Sequence, residues 1–452
     1  MLREILPGGV KSSTNKANAG LPARRAAVQL LCSVLKDRRP LDETLGRYNT
    51  RGPLQDLAYR DRAFARAIVA TSLRRLGQIE DILSKFLEKP LPKKSGSARE
   101  ILMTGVAQLV FLETQPHAAI DLAVKLCQRD RQAKRLDKLT NAVLRRVAEK
   151  GKEISAEQDV ERLNTPDWLW QRWVSVYGEE ATRAIAKAHL QEAPLDLTVK
   201  IKPRAWAQHL GGTLLATGSV RLDHKGRIDR IEGFESGDWW VQDAAAAIPA
   251  RLLGPIAGKR VADLCAAPGG KTAQLALAGA EVVAVDISPV RADRLKENLK
   301  RLQLTAEVVE ADVLNWRPKE PFDAILLDAP CSATGTIRRH PDIPHLKGPN
   351  DITELAELQA KLLRHALSFL KPGGILIYST CSLEPEKGFN QIAALFDDVA
   401  GLQLQPIGAQ ETGGQHDWID QGCLRTLPYQ LQAPNPEMSG IDGFFAARIR
   451  YG

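Results

Sequence analysis

Five short apolar segments, separated by segments with helical periodicity, follow residue 240 and constrain the fold more than any other feature of the chain. The apolar segments read VADL, EVVAVDI, AEVVEAD, DAILLDA and GILIYST, and helical segments such as TAQLALAG and SPVRADRLKENLKRL lie between them. Alternation of strands and helices is typical of a parallel sheet that is covered by helices. The sequence therefore predicts a doubly wound α/β domain over residues 241–452, with ligands bound beyond the carboxyl ends of the strands.

Two different patterns precede this domain, as a chain of 452 residues allows. Residues 22–150 predict an all-helical bundle, because ARRAAVQLLCSVLK, AFARAIVATSLRRL, AREILMTGVAQLVFL and LDKLTNAVLRRVAEK carry apolar residues at helical spacing. Residues 151–240 predict a small mixed α/β linker domain, with two helices in TPDWLWQRWVSVYGEEATRAIAKAHL and strands in LDLTVKI, TLLATG and RIDRIEG. Residues 1–21 are polar and predict a disordered lead-in.

Positive charge is concentrated in the N-terminal third. Residues 1–150 contain 29 lysines and arginines against 15 aspartates and glutamates, whereas residues 151–452 contain 33 against 39. A concentrated positive surface favours a polyanion such as RNA. A solvated helical surface without a nucleic-acid partner is the alternative interpretation.

The sequence favours a cytoplasmic protein. It has no apolar run of about 18 residues, and its first residues lack the apolar core of a signal peptide. Its six cysteines form no CxxC pair and have no histidine at zinc-binding spacing, so reduced thiols and no metal site are predicted.

The first apolar strand leads into a glycine-containing turn, DLCAAPGGKT, at residues 263–272. Gly269 and Gly270 allow a ligand to approach the backbone closely before the next helix begins. Structural turns, dinucleotide sites and S-adenosylmethionine sites all use such glycines. The absence of GxGxxG and GxxxxGK[ST] disfavours the nicotinamide and P-loop alternatives.

Carboxylates stand at the ends of the next three strands, at Asp286, Asp312 and Asp328. A carboxylate at the end of the second strand can accept hydrogen bonds from both ribose hydroxyls of an adenosine. Each aspartate alone could be a turn former or a helix cap. Their recurrence beside the glycine turn indicates a nucleoside ligand without phosphate, because three negative groups would repel a diphosphate.

Two cysteines, Cys331 and Cys381, follow the fourth and fifth strands in LLDAPCSATG and IYSTCSLEPEK. A buried cysteine is usually a small hydrophobic residue, and Cys32, Cys127 and Cys423 are predicted to be structural. Cys331 and Cys381 instead lie in polar loops at the ligand edge. Addition of a thiolate to carbon 6 of a cytosine makes carbon 5 nucleophilic, and two thiols beside a carboxyl group suit such covalent catalysis.

The motifs DLCAAPGGKT, DAPCSATG and YSTCSLEP resemble three signatures of the RNA cytosine-C5 methyltransferases. The chain is most similar to the bacterial 16S ribosomal RNA cytosine-C5 methyltransferase B type, also known as the Sun or Fmu type. RRHPDI at residues 338–343 and DGFFAARI at residues 442–449 also match. Residues 22–150 resemble the NusB-like RNA-binding domain with which those proteins begin.

The resemblance implies an S-adenosylmethionine-dependent enzyme that methylates carbon 5 of a cytosine in 16S ribosomal RNA. It implies that Cys381 is the nucleophile, that Cys331 assists release of the product, and that Asp328 reaches the cytosine ring as well as the cofactor. The implied cofactor-binding residues are Cys265, Ala266, Ala267, Pro268, Gly269, Gly270, Lys271, Asp286, Asp312 and Asp328.

A cytosine must leave its stack to reach such a pocket, so the expected substrate is single-stranded or loop RNA, naked or in an early assembly state. Arg338, Arg339 and His340 are expected to contact the RNA backbone, with ordinary surface charge as the alternative. The protein is predicted to be a monomer. A transfer RNA cytosine-C5 methyltransferase, an RNA-binding or antitermination factor with an inactive methyltransferase domain, and a nicotinamide-dependent oxidoreductase are the alternative functions.

Overall fold

The computed structural model describes residues 20–452. It divides into two compact units, one that ends at Asn164 and one that spans Thr165–Gly452. Most of the lead-in predicted over residues 1–21 lies outside the described residues. The domain boundaries predicted at residues 150 and 240 stay predictions.

The first unit is helical and confirms the prediction for this part of the chain. The four predicted helical segments correspond to α1, α3, α5 and α7, and α5 continues into a π-helical turn, Ala107–Phe111. Leucine and isoleucine side chains of these helices, such as Leu30, Ile68 and Leu144, are fully buried, as expected for amphipathic helices that cover one core. The helices are α1 (Leu21–Leu35), α2 (Leu41–Arg51), α3 (Tyr59–Arg74), α4 (Leu76–Phe86), α5 (Ala98–Val106), α6 (Pro116–Arg129), α7 (Asp137–Ala156) and α8 (Val160–Leu163).

The second unit begins with the predicted small α/β part. Two helical halves of α9 meet at Gly178, whose φ of 78° interrupts the helix. A four-stranded antiparallel sheet in the order β2-β3-β1-β4 follows. The elements are α9 (Asp167–His189), β1 (Leu195–Val199), α10 (Pro203–His209), β2 (Thr213–Leu214), β3 (Val220–Leu222) and β4 (Trp239–Val241).

The strand predicted over residues 227–233 is wrong. This segment contains a 3₁₀ turn, Ile228–Arg230, and the neighbours of β1 are instead β3 and β4. The reason is tertiary, because β3 carries Arg221, which forms a buried two-bond ion pair with Asp196 of β1. Local alternation could not reveal that charge pair.

The remaining elements build a nine-stranded sheet flanked by helices. Five parallel strands in the order β9-β8-β5-β6-β7 confirm the predicted doubly wound core, and β13 extends it antiparallel to β9. The elements are α11 (Ile248–Arg251), β5 (Arg260–Leu264), α12 (Gly270–Leu277), β6 (Glu281–Asp286), α13 (Pro289–Leu302), β7 (Glu307–Glu310), β8 (Phe322–Asp328), α14 (Ile343–Leu346), α15 (Pro349–Leu367), β9 (Leu370–Thr380), α16 (Phe389–Asp398), β10 (Leu402–Leu404), β11 (Ile419–Asp420), β12 (Cys423–Thr426) and β13 (Phe444–Tyr451).

Both faces of this sheet are buried. Along β8, Ile325 and Leu327 pack into one core, whereas Ala324 and Leu326 pack into the core on the opposite face. Burial on both faces explains why the strands read as continuous apolar runs. β5 pairs with β6 on one side and β8 on the other, so the strand order reverses at β5 and opens a crevice at its carboxyl end.

Candidate active site

The turn between β5 and α12 has a backbone conformation that leaves no room for a side chain at Gly269. Gly269 has a φ of 99°, and a Cβ atom there would lie 2.9 Å from Cγ of Leu295. Cys265, which follows β5 directly, also has a positive φ of 62°. Gly269 precedes α12 without a side-chain cap, and Ala266 and Ala267 keep the turn free of bulk. The predicted cofactor turn therefore lies at the crevice, where the absence of a side chain at Gly269 allows Leu295 of α13 to pack closely against it.

Asp286 ends β6 beside this turn and is 1% exposed. Its Oδ2 accepts a hydrogen bond from the backbone N–H of Ala267 at 3.0 Å, and its Oδ1 accepts one from that of Ser288 at 3.0 Å. Arg291 forms an ion pair with it at 3.4 Å. The structure thus brings Asp286 to the glycine turn and fixes its carboxylate there.

Asp312 lies two residues beyond the end of β7 rather than at the strand end. Its Oδ1 accepts a hydrogen bond from the backbone N–H of Leu314 at 3.1 Å, and its Oδ2 accepts one from Nδ2 of Asn315 at 2.7 Å. These contacts are those of a turn former. A cofactor contact by Asp312 stays a prediction.

Asp263, the first residue of DLCAAPGGKT, carries a feature that the sequence analysis missed. It is fully buried within β5, and its Oδ2 accepts a hydrogen bond from Thr272 at 2.6 Å. Its Oδ1 has no hydrogen-bond partner among residues 20–452. Burial raises the pKa of the Asp263 carboxyl group to about 7. The signal in the sequence was an acidic residue inside an otherwise apolar strand.

Lys271 of the cofactor turn and Asp328 at the end of β8 form an ion pair at 2.8 Å, with side chains 11% and 32% exposed. Asp328 Oδ1 also accepts a hydrogen bond from Ser379 of β9 at 3.0 Å. Nζ of Lys271 lies 5.0 Å from the centre of the Phe444 ring. Residues predicted for the cofactor and for catalysis therefore share one charged contact.

The Cys331 and Cys381 sulfur atoms lie 3.3 Å apart, within hydrogen-bonding distance. The hydrogen bond from Cys381 lowers the pKa of Cys331 to about 7, with a further contribution from the backbone N–H of Ala333. Donation of that hydrogen bond, together with burial, raises the pKa of Cys381 well above its usual range, whereas the positive charge of Lys271 lowers it. One proton of the pair is therefore lost near pH 7, and the directions of the two shifts favour Cys331 over Cys381 as the site of the negative charge.

The remaining cysteines lack such a partner. Burial raises the pKa of Cys32 and Cys265 to about 12 and that of Cys423 to about 11, and it also raises the pKa of Cys127. These thiols stay protonated at neutral pH, so they are poor nucleophiles.

The expectation that Arg338 contacts the RNA backbone is wrong, whereas contacts by Arg339 and His340 stay predictions. Arg338 is 1% exposed and donates to the backbone oxygen of Ser439. Arg339 forms ion pairs with Asp243 at 2.5 Å and with Asp442 at 2.9 Å, whose side chains are almost fully buried. The two arginines of the RRHPDI motif thus bind residues that are distant in the sequence but belong to the same unit, so neither is ordinary surface charge.

Within residues 20–452, no helix is long and apolar enough to cross a membrane. In the same part of the chain, no three or more histidine, cysteine, aspartate or glutamate side chains are grouped so that they could hold a metal ion.

Comparison with known proteins agrees with this geometry. A family model described as 16S rRNA methyltransferase RsmB/F matches residues 250–450, and a NusB family model matches residues 21–149. The ribosomal RNA small subunit methyltransferase B of Klebsiella pneumoniae is 37% identical over 419 residues, which cover 89% of this chain and 93% of the relative. The protein of the same description from Cronobacter sakazakii is 36% identical over 417 residues, which cover 88% and 92%.

The chain belongs to the RsmB/F family of 16S rRNA methyltransferases. Membership confirms the predicted enzyme class, an S-adenosylmethionine-dependent rRNA methyltransferase. It also confirms the NusB-like identity of the helical domain.

Solved structures show the same architecture as this RsmB/F-family enzyme. The crystal structure of PH0851 has a TM-score of 0.72 at 22% identity and covers 95% of this chain and 98% of its own. A methyltransferase homolog from Pyrococcus horikoshii has a TM-score of 0.51 at 29% identity and covers 62% of this chain and 94% of its own. The fold is therefore shared with PH0851 over 95% of this chain.

Proposed function

We propose that the protein transfers the methyl group of S-adenosylmethionine to carbon 5 of a cytosine in 16S rRNA, through a covalent bond between Cys381 Sγ and carbon 6. The observation that carries this proposal is the sulfur pair of Cys331 and Cys381 at 3.3 Å, at the edge of the sheet that holds the cofactor turn. A lone structural cysteine needs no second thiol at hydrogen-bonding distance, whereas thiol addition and elimination need a proton acceptor beside the nucleophile.

The residues at the turn fit S-adenosylmethionine. Asp263 offers a buried carboxylate oxygen without a partner in the described chain, which suits the ammonium group of the methionine part. Asp286 suits the ribose hydroxyls, and Cys265 and Gly270 of the turn are partly exposed beside it. When bound there, the cofactor supplies an electrophilic methyl group.

The remaining chemistry belongs to the chain. Cys381 passes its proton to the Cys331 thiolate, and its sulfur forms a bond to carbon 6 while Lys271, held by its ion pair with Asp328, offsets the negative charge that builds on the ring. The electron pair gained by carbon 5 forms the bond to the methyl carbon, and the electrons of the broken sulfur–methyl bond would stay on the cofactor's sulfur. A base of the site then takes the carbon-5 proton, and the carbon–sulfur bond to Cys381 breaks. Cys331 assists this release by returning its proton to the leaving Cys381 sulfur.

The basic helical domain supports an RNA substrate. Side chains at the end of α6, in the segment that joins it to α7 and along α7 are exposed and positively charged, and a surface of this kind binds phosphates. The residues are Arg129, Arg131, Lys134, Arg135, Lys138, Arg145 and Arg146. A cytoplasmic monomer that acts on naked RNA or an early assembly state completes the proposal.

The proposal is tested by incubating the wild type, Cys381→Ala and Cys331→Ala with radiolabelled cofactor and unmodified 16S rRNA. Methyl transfer and any denaturant-resistant protein–RNA adduct are then measured. We expect Cys381→Ala to give neither product nor adduct, and Cys331→Ala to accumulate the adduct because release is impaired. If the two variants behave in the opposite way, the roles are reversed, and if both methylate like the wild type, covalent catalysis is wrong.

A parallel reaction with transfer RNA tests whether the protein is instead a transfer RNA cytosine-C5 methyltransferase. If only transfer RNA is labelled, the proposal that 16S rRNA is the substrate is wrong. Tight binding of 16S rRNA without methyl transfer under any condition would instead support an RNA-binding factor with an inactive domain. Cys423→Ser serves as the matched control, because Cys423 is buried and distant in sequence from both motifs.

A further inference from the structure

A buried hydrogen-bonded cluster joins the loop that carries Cys331 to the loop that carries Cys381. Its centre is Glu384, which is 1% exposed. Glu384 Oε2 accepts hydrogen bonds from Ser332 Oγ at 2.8 Å and from Thr334 Oγ1 at 2.7 Å, and it also accepts one from Ser382 Oγ. One carboxylate oxygen therefore binds hydroxyl groups of both loops.

The cluster lies directly beside the two thiols in the chain. Ser332 follows Cys331, Ser382 follows Cys381, and the two serine oxygen atoms lie 2.6 Å apart. The serines thus repeat the cross-loop contact of the cysteines that precede them. Any rearrangement of this contact moves the backbone next to each sulfur atom.

Backbone contacts extend the same junction. The N–H of Gly335 donates to the carbonyl oxygen of Cys381 at 2.9 Å, and the N–H of Leu383 donates to Thr334 Oγ1 at 3.0 Å. A Cβ atom at Gly335 would lie 2.0 Å from the carbonyl oxygen of Gly443 and 2.8 Å from that of Cys381. The loops can approach this closely only because residue 335 has no side chain.

A buried carboxylate is costly unless hydrogen-bond donors compensate it. Three hydroxyl groups meet Oε2 of Glu384, and Nε1 of Trp173 donates to its Oε1 at 3.4 Å. Removal of the carboxylate would leave several buried hydroxyl groups without their acceptor. The cluster is therefore held in one arrangement by Glu384.

We propose that Glu384 is a positioning residue that locks the Cys331 loop against the Cys381 loop and thereby sets the separation of the two sulfur atoms. Proton transfer between thiols requires hydrogen-bonding distance, and a displacement of about 1 Å can cost about 100-fold in rate. This inference rests on the covalent function proposed above and adds a residue that touches neither substrate nor cofactor.

The first test needs no RNA. The rate of alkylation of Cys331 by iodoacetamide is measured against pH by mass spectrometry in the wild type, Glu384→Ala, Glu384→Gln and the control Glu386→Gln. Glu386 lies two residues away and pairs with Arg172, outside the cluster. The midpoint is the pH at which the alkylation rate reaches half of its maximum. We expect it to rise by about one pH unit in Glu384→Ala, because separation of the sulfur atoms removes the hydrogen bond that stabilises the Cys331 thiolate. Glu386→Gln should show the wild-type midpoint.

The second test follows methyl transfer. Glu384→Ala should lower kcat about 30-fold and change KM for RNA and cofactor by less than about threefold, since the substrate sites are intact. Glu384→Gln should recover most of kcat, because its amide oxygen can still accept hydrogen bonds from the hydroxyl groups. Recovery by the amide would identify the hydrogen bonds, and not the charge, as the source of the effect.

A wild-type midpoint together with a wild-type kcat in Glu384→Ala would overturn the positioning role. If Glu384→Ala does not fold, Thr334→Val removes one donor at nearly constant volume and should raise the midpoint in the same direction, and an unchanged midpoint there would likewise overturn it. The two proposals can fail separately. If Glu384→Ala shifts the midpoint but the wild type forms no adduct with RNA, the positioning role of Glu384 is supported and the proposed covalent mechanism is wrong.

Discussion

The sulfur atoms of Cys331 and Cys381 lie 3.3 Å apart although 50 positions separate the two residues in the chain. They meet because β8 and β9 are adjacent parallel strands with Asp328 opposite Ser379. Loops that follow such strands leave the sheet at the same edge. The thiol pair is therefore a product of strand register, and its chemistry can be tested at several points.

The rate of covalent adduct formation should rise as the pH is raised through about 7, because the Cys331 thiolate accepts the Cys381 proton in that step. The pKa of Cys331 is lowered to about 7, so this thiol is anionic above that pH and protonated below it. A step that needs the anion is therefore lost as the pH falls. Single-turnover rates measured on both sides of pH 7 check this. Cys331→Ser should lack the transition, and an identical midpoint in that variant would assign the titration to another group.

Gly269→Ala should abolish detectable cofactor binding and destabilise the fold. The substitution combines a φ of 99° with a Cβ only 2.9 Å from Leu295, at a cost of about 1–3 kcal/mol. Gly254→Ala is the matched control, because Gly254 also has a positive φ but no atom within 4 Å of the added Cβ. Calorimetric titration with S-adenosylmethionine and urea unfolding measure the two effects. Equal binding by both variants would contradict the role of the turn.

Asp263→Asn should stabilise the free protein and weaken cofactor binding. Burial raises the pKa of Asp263 to about 7, so this carboxyl group costs the fold stability as the pH rises from its unfolded pKa of about 4 to about 7. The amide removes the cost and should raise the free energy of unfolding by about 3 kcal/mol at about pH 8, with little gain at about pH 4. Affinity for the cofactor should fall about tenfold, as for a lost charge-assisted hydrogen bond. Urea unfolding at both pH values measures the change in stability, and calorimetric titration measures the affinity for the cofactor. Tighter cofactor binding by Asp263→Asn would contradict the proposed role of the carboxylate.

Arg339→Met should destabilise the second unit by about 3–5 kcal/mol at neutral pH, because it leaves Asp243 and Asp442 as uncompensated buried carboxylates. Without the arginine the folded-state pKa of Asp243 rises above its unfolded value, and that of Asp442, which burial already raises to about 6, rises further. Stability is then retained at low pH and lost as the pH rises through the folded values. The deficit should therefore shrink on acidification, as measured by urea unfolding across pH. Arg364→Met, which breaks an exposed ion pair with Asp398, should cost less than about 1 kcal/mol.

Much of the fold followed from local pattern. The helices α1, α3, α5 and α7 and the strands β5 to β9 correspond to segments whose apolar spacing is visible in the sequence. The antiparallel strands at the C-terminal end, such as β13, were not predicted, because their place beside β9 depends on pairing across more than sixty residues. Segment 227–233 alternates like a strand, but the Asp196–Arg221 ion pair gives the position beside β1 to β3.

The candidate site divides in the same way. The sequence by itself determined which chemistry is present, since the glycine turn, the strand-end carboxylates and the two cysteines are local motifs next to apolar strands. Only the tertiary structure decided which of these groups touch: Lys271 pairs with Asp328, Cys331 with Cys381, and Arg339 with Asp243. Motifs are read from neighbours in the chain, whereas burial, charge pairing and proton sharing depend on neighbours in space.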